Sequence, residues 1–251
     1  MNMKVKAILL AGGHGSRLYP FTKYTQKTLL PLYNRPVIDY ALGTIRRAGI
    51  KDITIISNQF IGQIAKHVGG GLADERIHYV LEEEPTGVAD ALNLARVYNE
   101  DCRVLVYFSD NITTMELEDE VNLFAEESES PGCVLLARKE DKPEAFGVAV
   151  IDGDGTVIDI VEKPENPPSD LAIGGIYMFD EMFWTYVDQG VNEKGNAFSI
   201  SDVTRRYVQT KNAKLLTVGP ETWVDCGTPE SLLQASMMAA EGKLNPHPFR
   251  N

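Results

Sequence analysis

Cysteine is scarce in this sequence, and the positions of the few cysteines exclude two common uses of that residue. Cys102, Cys133 and Cys226 are the three cysteines among 251 residues; they lie far apart and form no CxxC pair. An odd number of separated cysteines argues against a disulfide framework and against a zinc site built on paired thiolates. This usage is typical of a reducing compartment, so we expect a cytoplasmic location.

Long apolar runs and an excess of positive charge are also missing. Hydrophobic residues make up 43% of the chain, but no stretch approaches the length that spans a bilayer, and the N-terminal residues lack the features of a signal peptide. The 24 Lys and Arg residues face 36 Asp and Glu residues, a net charge of −12, which opposes non-specific binding to nucleic acid. We expect neither nucleic acid nor a membrane as a partner. An anionic ligand would need local cations or a divalent metal at its site.

Hydrophobic periodicity divides the chain into two regions. Up to about residue 115, short apolar strands alternate with helical patterns, from the strand Val5–Leu10 to the strand Val104–Phe108, after which Asp110 and Asn111 fall in a loop. This rhythm predicts an α/β fold of Rossmann-like, three-layer type, with a mixed, mostly parallel sheet and helices on both faces. From about 116 to 240, strands with short connections predict a smaller antiparallel extension. We expect a single domain over residues 1–251, with a tail from 241.

The loop after the first predicted strand reads AGGHGSRLYPFTKYTQK, residues 11–27. It is not a Walker A loop, because Gly15 is not followed by lysine, and it lacks the third glycine of a dinucleotide fingerprint. Pro20 also interrupts the helix that such a fingerprint requires. What remains is a glycine loop whose N–H groups can surround phosphate oxygens, with two cations, Arg17 and Lys27, that suit a polyphosphate. The alternative is a tight turn with two solvated cations.

Further motifs follow this loop in a fixed order to about residue 240. They read Gly12-Gly13-x-Gly15-x-Arg17-Leu18-x-Pro20, Lys27-x-Leu29-Leu30-Pro31, Pro85-x-Gly87-Val88-Ala89, Ser109-Asp110-Asn111, Phe146-Gly147-Val148, Glu162-Lys163-Pro164, Ala172-Ile173-x-Gly175-Ile176-Tyr177 and Trp223-Val224-Asp225-x-Gly227-Thr228. Each motif is weak alone. Together they resemble the signature of the sugar-1-phosphate nucleotidylyltransferases, nearest to the short form of the glucose-1-phosphate thymidylyltransferases.

The resemblance implies an enzyme that transfers a nucleotidyl group from an NTP, dTTP or UTP in the first place, to a hexose-1-phosphate such as glucose-1-phosphate. The products are an NDP-sugar and pyrophosphate. By resemblance, Asp110 and Asp225 hold a Mg²⁺ cofactor, which agrees with the few carboxylates that Mg²⁺ needs beside substrate phosphates. The NTP and the sugar-1-phosphate are the expected partners, and the chain could form a homo-oligomer.

The same resemblance distributes the site residues over two halves, a nucleotide-binding half at about 1–115 and a sugar-phosphate-binding half at about 116–240, which contains the antiparallel extension. The catalytic residues are Arg17, Lys27, Asp110, Lys163 and Asp225. The nucleotide-binding residues are Leu10, Ala11, Gly12, Gly13, Gly15, Ser16, Glu82, Pro85 and Gly87. The sugar-binding residues are Asn111, Phe146, Gly147, Glu162, Ile173, Gly175 and Trp223. His14 occupies a variable position of the loop and receives no role.

Glu82 departs from the family pattern, in which a glutamine at this position reads thymine or uracil. An ionised glutamate only accepts hydrogen bonds, so it would take the N3–H of the base and repel the neighbouring carbonyl. Guanine, with adjacent N–H donors, or cytosine, with its amino group, would suit a carboxylate better. Backbone groups near Leu10 and Gly12 could still read thymine or uracil if Glu82 turns away or is protonated. A guanylyl- or cytidylyltransferase is therefore the alternative enzyme.

Two further departures concern the sugar and regulation. The segment from Lys194 to Asp202 replaces the glutamates of a family stretch that supports the sugar phosphate, so the sugar could differ from glucose. Resemblance to the short form implies no second, regulatory nucleotide site. A catalytically silent homologue that binds a nucleotide sugar is the alternative outside the enzymes, and the retained metal carboxylates and phosphate cations argue against it.

Overall fold

Strands and helices alternate through the first half of the chain, whereas the second half contains a run of four consecutive strands before helices return. The computed structural model describes residues 4–84, 87–126, 130–219 and 223–244. The elements in chain order are β1 (Val5–Leu10), β2 (Pro31–Leu32), β3 (Arg35–Pro36), α1 (Val37–Arg47), β4 (Asp52–Ser57), α2 (Ile61–Val68), β5 (Arg76–Leu81), α3 (Val88–Asn99), β6 (Arg103–Phe108), β7 (Asn111–Thr113), α4 (Glu118–Ala125), β8 (Cys133–Lys139), β9 (Gly147–Ile151), β10 (Val157–Glu162), β11 (Leu171–Phe179), α5 (Phe183–Lys194), α6 (Ile200–Gln209), β12 (Ala213–Val218), β13 (Trp223–Asp225) and α7 (Pro229–Ala240).

A central sheet organises the molecule. Within the described residues it has nine strands, in the order β10-β9-β11-β6-β1-β4-β5, with β8 paired to β11 and β12 paired to β8. The strands β5, β4, β1 and β6 are parallel to one another. β11 runs against β6, and because β8 and β9 run against β11, they share the direction of β6. Only β10 and β11 oppose the common direction, which confirms the prediction of a mixed, mostly parallel sheet.

Helices cover both faces of this sheet. Along β1, Ile8 and Leu10 belong to one apolar cluster, which includes residues of α3, α5 and α6. Ala7 and Leu9 point the other way, into a second cluster with α1, α2 and α4. A parallel strand buried on both faces explains why the stretch Ala7–Leu10 of β1 is apolar throughout rather than alternating. The three-layer α/β architecture predicted from periodicity is therefore confirmed.

Local sequence signals mark where the helices begin and end. α2 stops before Gly69, whose φ of 68° is in the left-handed region that glycine tolerates. The Thr228 side chain caps α7, and Pro229 occupies the first position of that helix, as the sequence indicates. Ser199 and Asp202 form a reciprocal capping box at the start of α6. Among the described helices, none has both the length and the apolar character needed to cross a bilayer.

The long strand β11 joins the two regions of the chain. Its second half pairs with β6 from Ile176↔Tyr107 to Phe179↔Val104. Because the two strands are antiparallel, the first half of β11 extends past the carboxyl end of β6, where Ala172 pairs with Val148 of β9. The β9–β10 hairpin therefore stands over the carboxyl edge of the parallel strands. This hairpin is the predicted smaller antiparallel extension.

The expectation that Asp110 and Asn111 lie in a loop is wrong for Asn111. Asn111 begins β7, which pairs antiparallel with β13 so that Asp225 lies opposite Asn111. Each of these strands has only three residues, and their pairing joins distant parts of the chain, so local periodicity does not reveal them. The pairing places the motif of Asp110 beside the motif of Asp225.

A truncation in the core tests how far stability depends on this packing. Phe179 is fully buried and stacks on Phe183 with ring centroids 4.6 Å apart. We expect Phe179→Ala to lower the free energy of unfolding by roughly 3–5 kcal/mol in urea denaturation, because it leaves a cavity. The matched Phe21→Ala change, at a side chain that is 62% exposed, should cost well under about 1 kcal/mol. Equal losses in the two variants would contradict this account of the core.

Candidate active site

The glycine loop is anchored to the neighbouring strand rather than hanging free. The Ser57 hydroxyl donates to the carbonyl oxygen of Ala11 at 2.9 Å, and Asn58 Nδ2 donates to the carbonyl oxygen of Gly12 at 3.1 Å. Both donors lie at the carboxyl end of β4, next to β1. The loop carbonyls therefore face the protein. The loop begins at the carboxyl edge of the sheet, where open α/β sheets bind ligands.

Farther along, the loop folds back on itself at Gly15. This residue has a φ of 61°, and its carbonyl oxygen accepts a hydrogen bond from the Thr22 hydroxyl at 2.9 Å. A Cβ at Gly15 would lie 2.8 Å from Thr22 Cγ2, so both the space and the conformation favour glycine. Ser16–Leu18 and Phe21–Lys23 are single 3₁₀ turns rather than an α-helix, as Pro20 predicts.

A cavity of about 300 Å³ opens between this loop and α3, a size suited to a small-molecule site. Its walls include five of the predicted nucleotide-binding residues, namely Leu10, Gly12, Gly13, Glu82 and Gly87, together with Lys27 and Asp110. Ala11, Gly15 and Ser16 shape the loop without lining this cavity, and Pro85 lies outside the described residues. The structure thus brings most of the predicted nucleotide set together around one space.

Glu82 is a buried carboxyl on the cavity wall. It is 5% exposed, its backbone N–H donates to Ser57, and its carboxyl group lies directly over the Cα of Gly12. Burial, and after it the charge of Asp90 on α3, raises the pKa of Glu82, and His14 offsets this only in part. The neutral form of this carboxyl is therefore favoured over a wider pH range than in water.

Lys27 and Asp110 form an ion pair on the wall of the cavity. Lys27 Nζ donates to Asp110 Oδ2, and the two side chains are 17% and 10% exposed. Burial opposes the charge on Asp110, but Lys27 outweighs it and holds the pKa of Asp110 below its ordinary value. A Cβ at Gly13 would lie 3.3 Å from Lys27 Nζ, so the ammonium group rests against the glycine loop. Loop, cation and carboxylate thus meet at one point.

A second cation and a second carboxylate lie beside this pair. A Cβ at Gly227 would come within 2.5 Å of both Arg17 Nη2 and Asp225 Oδ1. The backbone also ties the two aspartates together, since the N–H of Cys226 donates to the carbonyl oxygen of Asp110 at 2.8 Å. Burial, and after it the charge of Asp110, raises the pKa of Asp225, although Lys27 and Arg17 oppose this. The two carboxyl groups therefore destabilise each other's charge, which a bound cation would relieve.

The donor set fits Mg²⁺ in composition. Two carboxylates, Asp110 and Asp225, lie close enough for the charge of Asp110 to raise the pKa of Asp225. Mg²⁺ is commonly bound by one or two carboxylates with substrate phosphates completing its shell. No group of three or more metal-ligating side chains occurs in the part of the chain that the structure describes. Phosphate oxygens or water would supply the remaining ligands.

Glu162 ends β10 on the hairpin above the sheet, and Lys163 follows it directly. Glu162 lies opposite Gly147 of β9, and the Ser201 hydroxyl donates to Glu162 Oε2 at 2.5 Å. Gly147 leaves room for this contact, since a Cβ there would lie 3.2 Å from Ser201 Oγ. Lys163 Nζ is 3.7 Å from Glu162 Oε1, and the Lys163 side chain is 67% exposed, free to meet an anion from solvent.

The remaining predicted sugar-binding residues gather around Asn111 and Trp223. Trp223 Nε1 donates to Asn111 Oδ1 at 2.7 Å, and the backbone N–H of Gly175 donates to the same oxygen at 3.1 Å. Phe146 meets Trp223 edge to face with ring centroids 6.0 Å apart. Ile173 is buried at 5% exposure on β11. These side chains surround the carboxyl edge but do not line the cavity of Glu82.

Comparison with known proteins agrees with this geometry. A model of the nucleotidyl transferase family matches residues 6–242. This chain belongs to that family. The assignment of the sequence to the nucleotidyltransferase enzymes, drawn from its motifs, is therefore confirmed.

Relatives of this nucleotidyl transferase carry related names. It is 31% identical to the low-salt glycan biosynthesis nucleotidyltransferase Agl11 of Haloferax volcanii, over 95% of this chain and 67% of that protein. It is 35% identical to a glucose-1-phosphate thymidylyltransferase of Xanthomonas campestris, over 92% of this chain and 79% of that protein. A crystal structure of a candidate glucose-1-phosphate thymidylyltransferase from Bacillus anthracis, in complex with a sucrose, has a TM-score of 0.88 at 31% identity and covers 98% of each chain.

Some residues of the nucleotidyl transferase site received no role from the sequence. His14 lines the cavity, as do Ile56, Val88, Ala91 and Phe108. Val88 and Ala91 are three apart at the start of α3, a spacing that turns both toward one side. Ser201 had no such signal, because its contact with Glu162 depends on how α6 packs on the hairpin. In the segment that departs from the family pattern, Lys194 Nζ donates to Asp202 Oδ1 at 2.5 Å.

A substitution at Gly12 tests the cavity wall of the nucleotidyl transferase. We expect Gly12→Ala to weaken NTP binding about tenfold or more in isothermal titration, because the added Cβ would collide with the Glu82 carboxyl group. Gly62→Ala is the matched control on α2, where a Cβ would meet nothing within 4 Å. If the two variants bound NTP equally well, Glu82 and Gly12 would not form the wall of the nucleotide site.

Proposed function

We propose that this nucleotidyl transferase is a Mg²⁺-dependent sugar-1-phosphate nucleotidylyltransferase, which joins an NTP and a hexose-1-phosphate into an NDP-sugar. One observation carries the proposal. Lys27, held against the glycine loop, pairs with Asp110 on the wall of the cavity, and Asp225 and Arg17 complete a group of two cations and two carboxylates. Such a group suits a triphosphate and a divalent metal. The names of the relatives support the same class of substrates.

In this reaction an oxygen of the sugar phosphate forms a bond to the α-phosphorus of the NTP. The bond from that phosphorus to the oxygen bridging the α- and β-phosphates breaks, and pyrophosphate leaves with the electron pair. No protein nucleophile is required, so the residues act by positioning and by stabilising charge.

In this proposal, three cationic side chains bind the phosphates of the two substrates. Arg17 and Lys27, on the glycine loop side, would bind the NTP phosphates and stabilise the departing pyrophosphate. Lys163, exposed on the hairpin, would bind the phosphate of the sugar substrate and orient the attacking oxygen. Mg²⁺ held by Asp110 and Asp225 would neutralise phosphate charge.

The two halves of the proposed enzyme bind one substrate each. Residues up to about 115 would bind the nucleotide in the cavity of Glu82, and residues 116–240 would place Glu162, Gly147 and Phe146 against the sugar. Three buried, unpaired cysteines support a cytoplasmic location for this chemistry.

Glu82 bears on the choice of base. When protonated, its carboxyl can donate to a base carbonyl and accept from an adjacent N–H, as an amide does, and this matches thymine or uracil. The burial that raises the pKa of Glu82 supports dTTP or UTP as the substrate. When ionised, the same group fits the paired donors of guanine, which keeps GTP as the second candidate.

A pyrophosphate-release assay tests the proposal directly. The wild-type protein is assayed with Mg²⁺ against a matrix of dTTP, UTP, GTP, CTP and ATP and several hexose-1-phosphates, including glucose-1-phosphate. Release that requires both substrates supports the enzyme. Tight binding of a nucleotide sugar without release in any combination would instead support a catalytically silent homologue.

Asp110→Asn is the mutational test of the metal carboxylates. We expect it to abolish turnover, by about a thousandfold or more, because the charge that pairs with Lys27 and would hold the metal is lost. Circular dichroism should show an unchanged fold. Asp154→Asn, an isosteric change in an exposed turn, should keep wild-type activity. Near-normal turnover in Asp110→Asn would contradict the assignment of Asp110 as a metal-binding carboxylate.

The pH dependence of nucleotide use tests the protonation of Glu82. A carboxyl with a raised pKa is neutral below that pKa and ionises as the pH rises through it. For dTTP or UTP we therefore expect KM to rise with pH through this range, since an ionised Glu82 repels the base carbonyl. Glu82→Gln should remove this rise and keep KM low, whereas Glu83→Gln, an exposed neighbour, should retain it. Parallel profiles for all three proteins would contradict protonation of Glu82 as the cause.

A further inference from the structure

The side-chain amide of Asn111 makes three hydrogen bonds, all of them at the edge of the proposed active site. Its Oδ1 accepts from Trp223 Nε1 at 2.7 Å and from the backbone N–H of Gly175 at 3.1 Å. Its Nδ2 donates to Asp110 Oδ1 at 3.1 Å. Asn111 is 3% exposed, so water cannot readily replace these partners.

These partners allow only one orientation of the amide. An indole N–H and a backbone N–H can only donate, so both require the oxygen of Asn111. The NH₂ group must then face Asp110, which accepts. In the flipped orientation, the NH₂ group would oppose two donors, and the amide oxygen would oppose a carboxylate. The N–H groups of Trp223 and Gly175 thus together select the orientation in which Asn111 supports Asp110, and the bond from Trp223 is the shorter of the two.

We propose that Trp223 is a positioning residue for Asp110, acting through Asn111, and so prepares that carboxylate to bind the divalent metal. The inference rests on the proposed function insofar as Asp110 holds Mg²⁺. It assigns to the indole N–H of Trp223 a purpose distinct from that of its ring, which meets Phe146 edge to face.

The surroundings of Trp223 hold the indole in place. The Arg138 guanidinium lies over the ring at 4.3 Å, and Arg138 Nη1 also donates to the carbonyl oxygen of Trp223. On another side, a Cβ at Gly174 would lie 3.2 Å from the ring, so only glycine permits the close approach of β11. Trp223 is 4% exposed. A ring enclosed in this way cannot follow Asn111 if the amide rotates, so it fixes the amide instead.

Asp110 has two supports in this arrangement, and they act on different oxygens. Lys27 binds Oδ2, and Asn111 binds Oδ1. Lys27 is also proposed to bind phosphate, so its bond to Asp110 would weaken when the NTP arrives. Asn111 is not proposed to bind the phosphates of the NTP. Its bond, secured by Trp223, would then be the one that keeps the carboxylate oriented.

The two tryptophans of the chain provide a matched pair of variants. Trp223→Phe removes the N–H that binds Asn111 and keeps an aromatic ring. Trp184→Phe removes an equally buried N–H that donates to the carbonyl oxygen of Asn99 at 3.1 Å, away from the site. Mn²⁺ serves as the probe, and its binding to the protein alone is measured by electron paramagnetic resonance. We expect Trp223→Phe to weaken Mn²⁺ binding about five- to tenfold and Trp184→Phe to leave it unchanged.

A double-mutant cycle tests whether Trp223 acts through Asn111. Asn111→Ala should weaken Mn²⁺ binding by itself, and adding Trp223→Phe should then cause little further loss, because the intermediary is already absent. If the losses of Mn²⁺ affinity in the two single variants add in full in the double variant, Trp223 does not act through Asn111, and the inference is overturned. In the unmodified protein, the ¹⁵N–¹H signal of the Trp223 indole should shift on titration with Mg²⁺ while that of Trp184 stays fixed, which tests the inference even if a variant fails to fold. An unmoved Trp223 signal would overturn it.

Failure of this inference and failure of the proposed function would look different. If wild-type protein releases pyrophosphate but Trp223→Phe matches Trp184→Phe in both turnover and Mn²⁺ affinity, Trp223 is only a wall of the sugar pocket, and the inference is overturned. If no pair of substrates reacts, the proposed function fails, while the binding and resonance measurements still decide whether Trp223 positions a metal carboxylate.

Discussion

The ion pair between Lys27 and Asp110 is the interaction on which the candidate site depends. Asp110 is buried at 7% exposure, where a carboxylate without a cation would favour its neutral form. Lys27 keeps it charged, and Lys27 can reach it only because the loop turns back at Gly15 and Gly13 has no side chain to hold the ammonium away. Loop geometry and carboxylate charge are therefore parts of one arrangement.

Asp225 adds an unfavourable interaction between two buried carboxyl groups, which the fold does not relieve by itself. The β7–β13 pairing brings this second buried carboxyl beside Asp110, and the pKa of Asp225 rises through burial and the neighbouring charge. For the stability of the fold alone, replacing one of these two carboxyl groups by a neutral side chain would be favourable. Their persistence at the carboxyl edge, with Arg17 and Lys27 adjacent, is the pattern of a site that gains its missing positive charge from a ligand.

The regular elements of the fold were predictable, and the contacts that build the site were less so. The apolar run of β1 and the helical spacing of α2 are local signals, and both predict the element formed. β7 and β13 have three residues each and exist only as partners of one another, so Asn111 was expected in a loop. Ser201 reaches the site through the packing of α6, and His14 reaches it through the path of the glycine loop. Local hydrophobic periodicity predicts neither.

The sequence by itself determined the chemistry available to this protein: a glycine loop that excludes the common nucleotide-binding patterns, the cations Arg17 and Lys27, and the motif order that places the chain in its family. Only the tertiary structure decided how those groups act on one another. It buried Glu82 against Gly12, placed Asp225 beside Asp110, and turned the Asn111 amide toward the carboxylate. The physical reason is range, because residue identity and periodicity act over a few positions, whereas charge state and side-chain orientation depend on neighbours that strand register brings from distant parts of the chain.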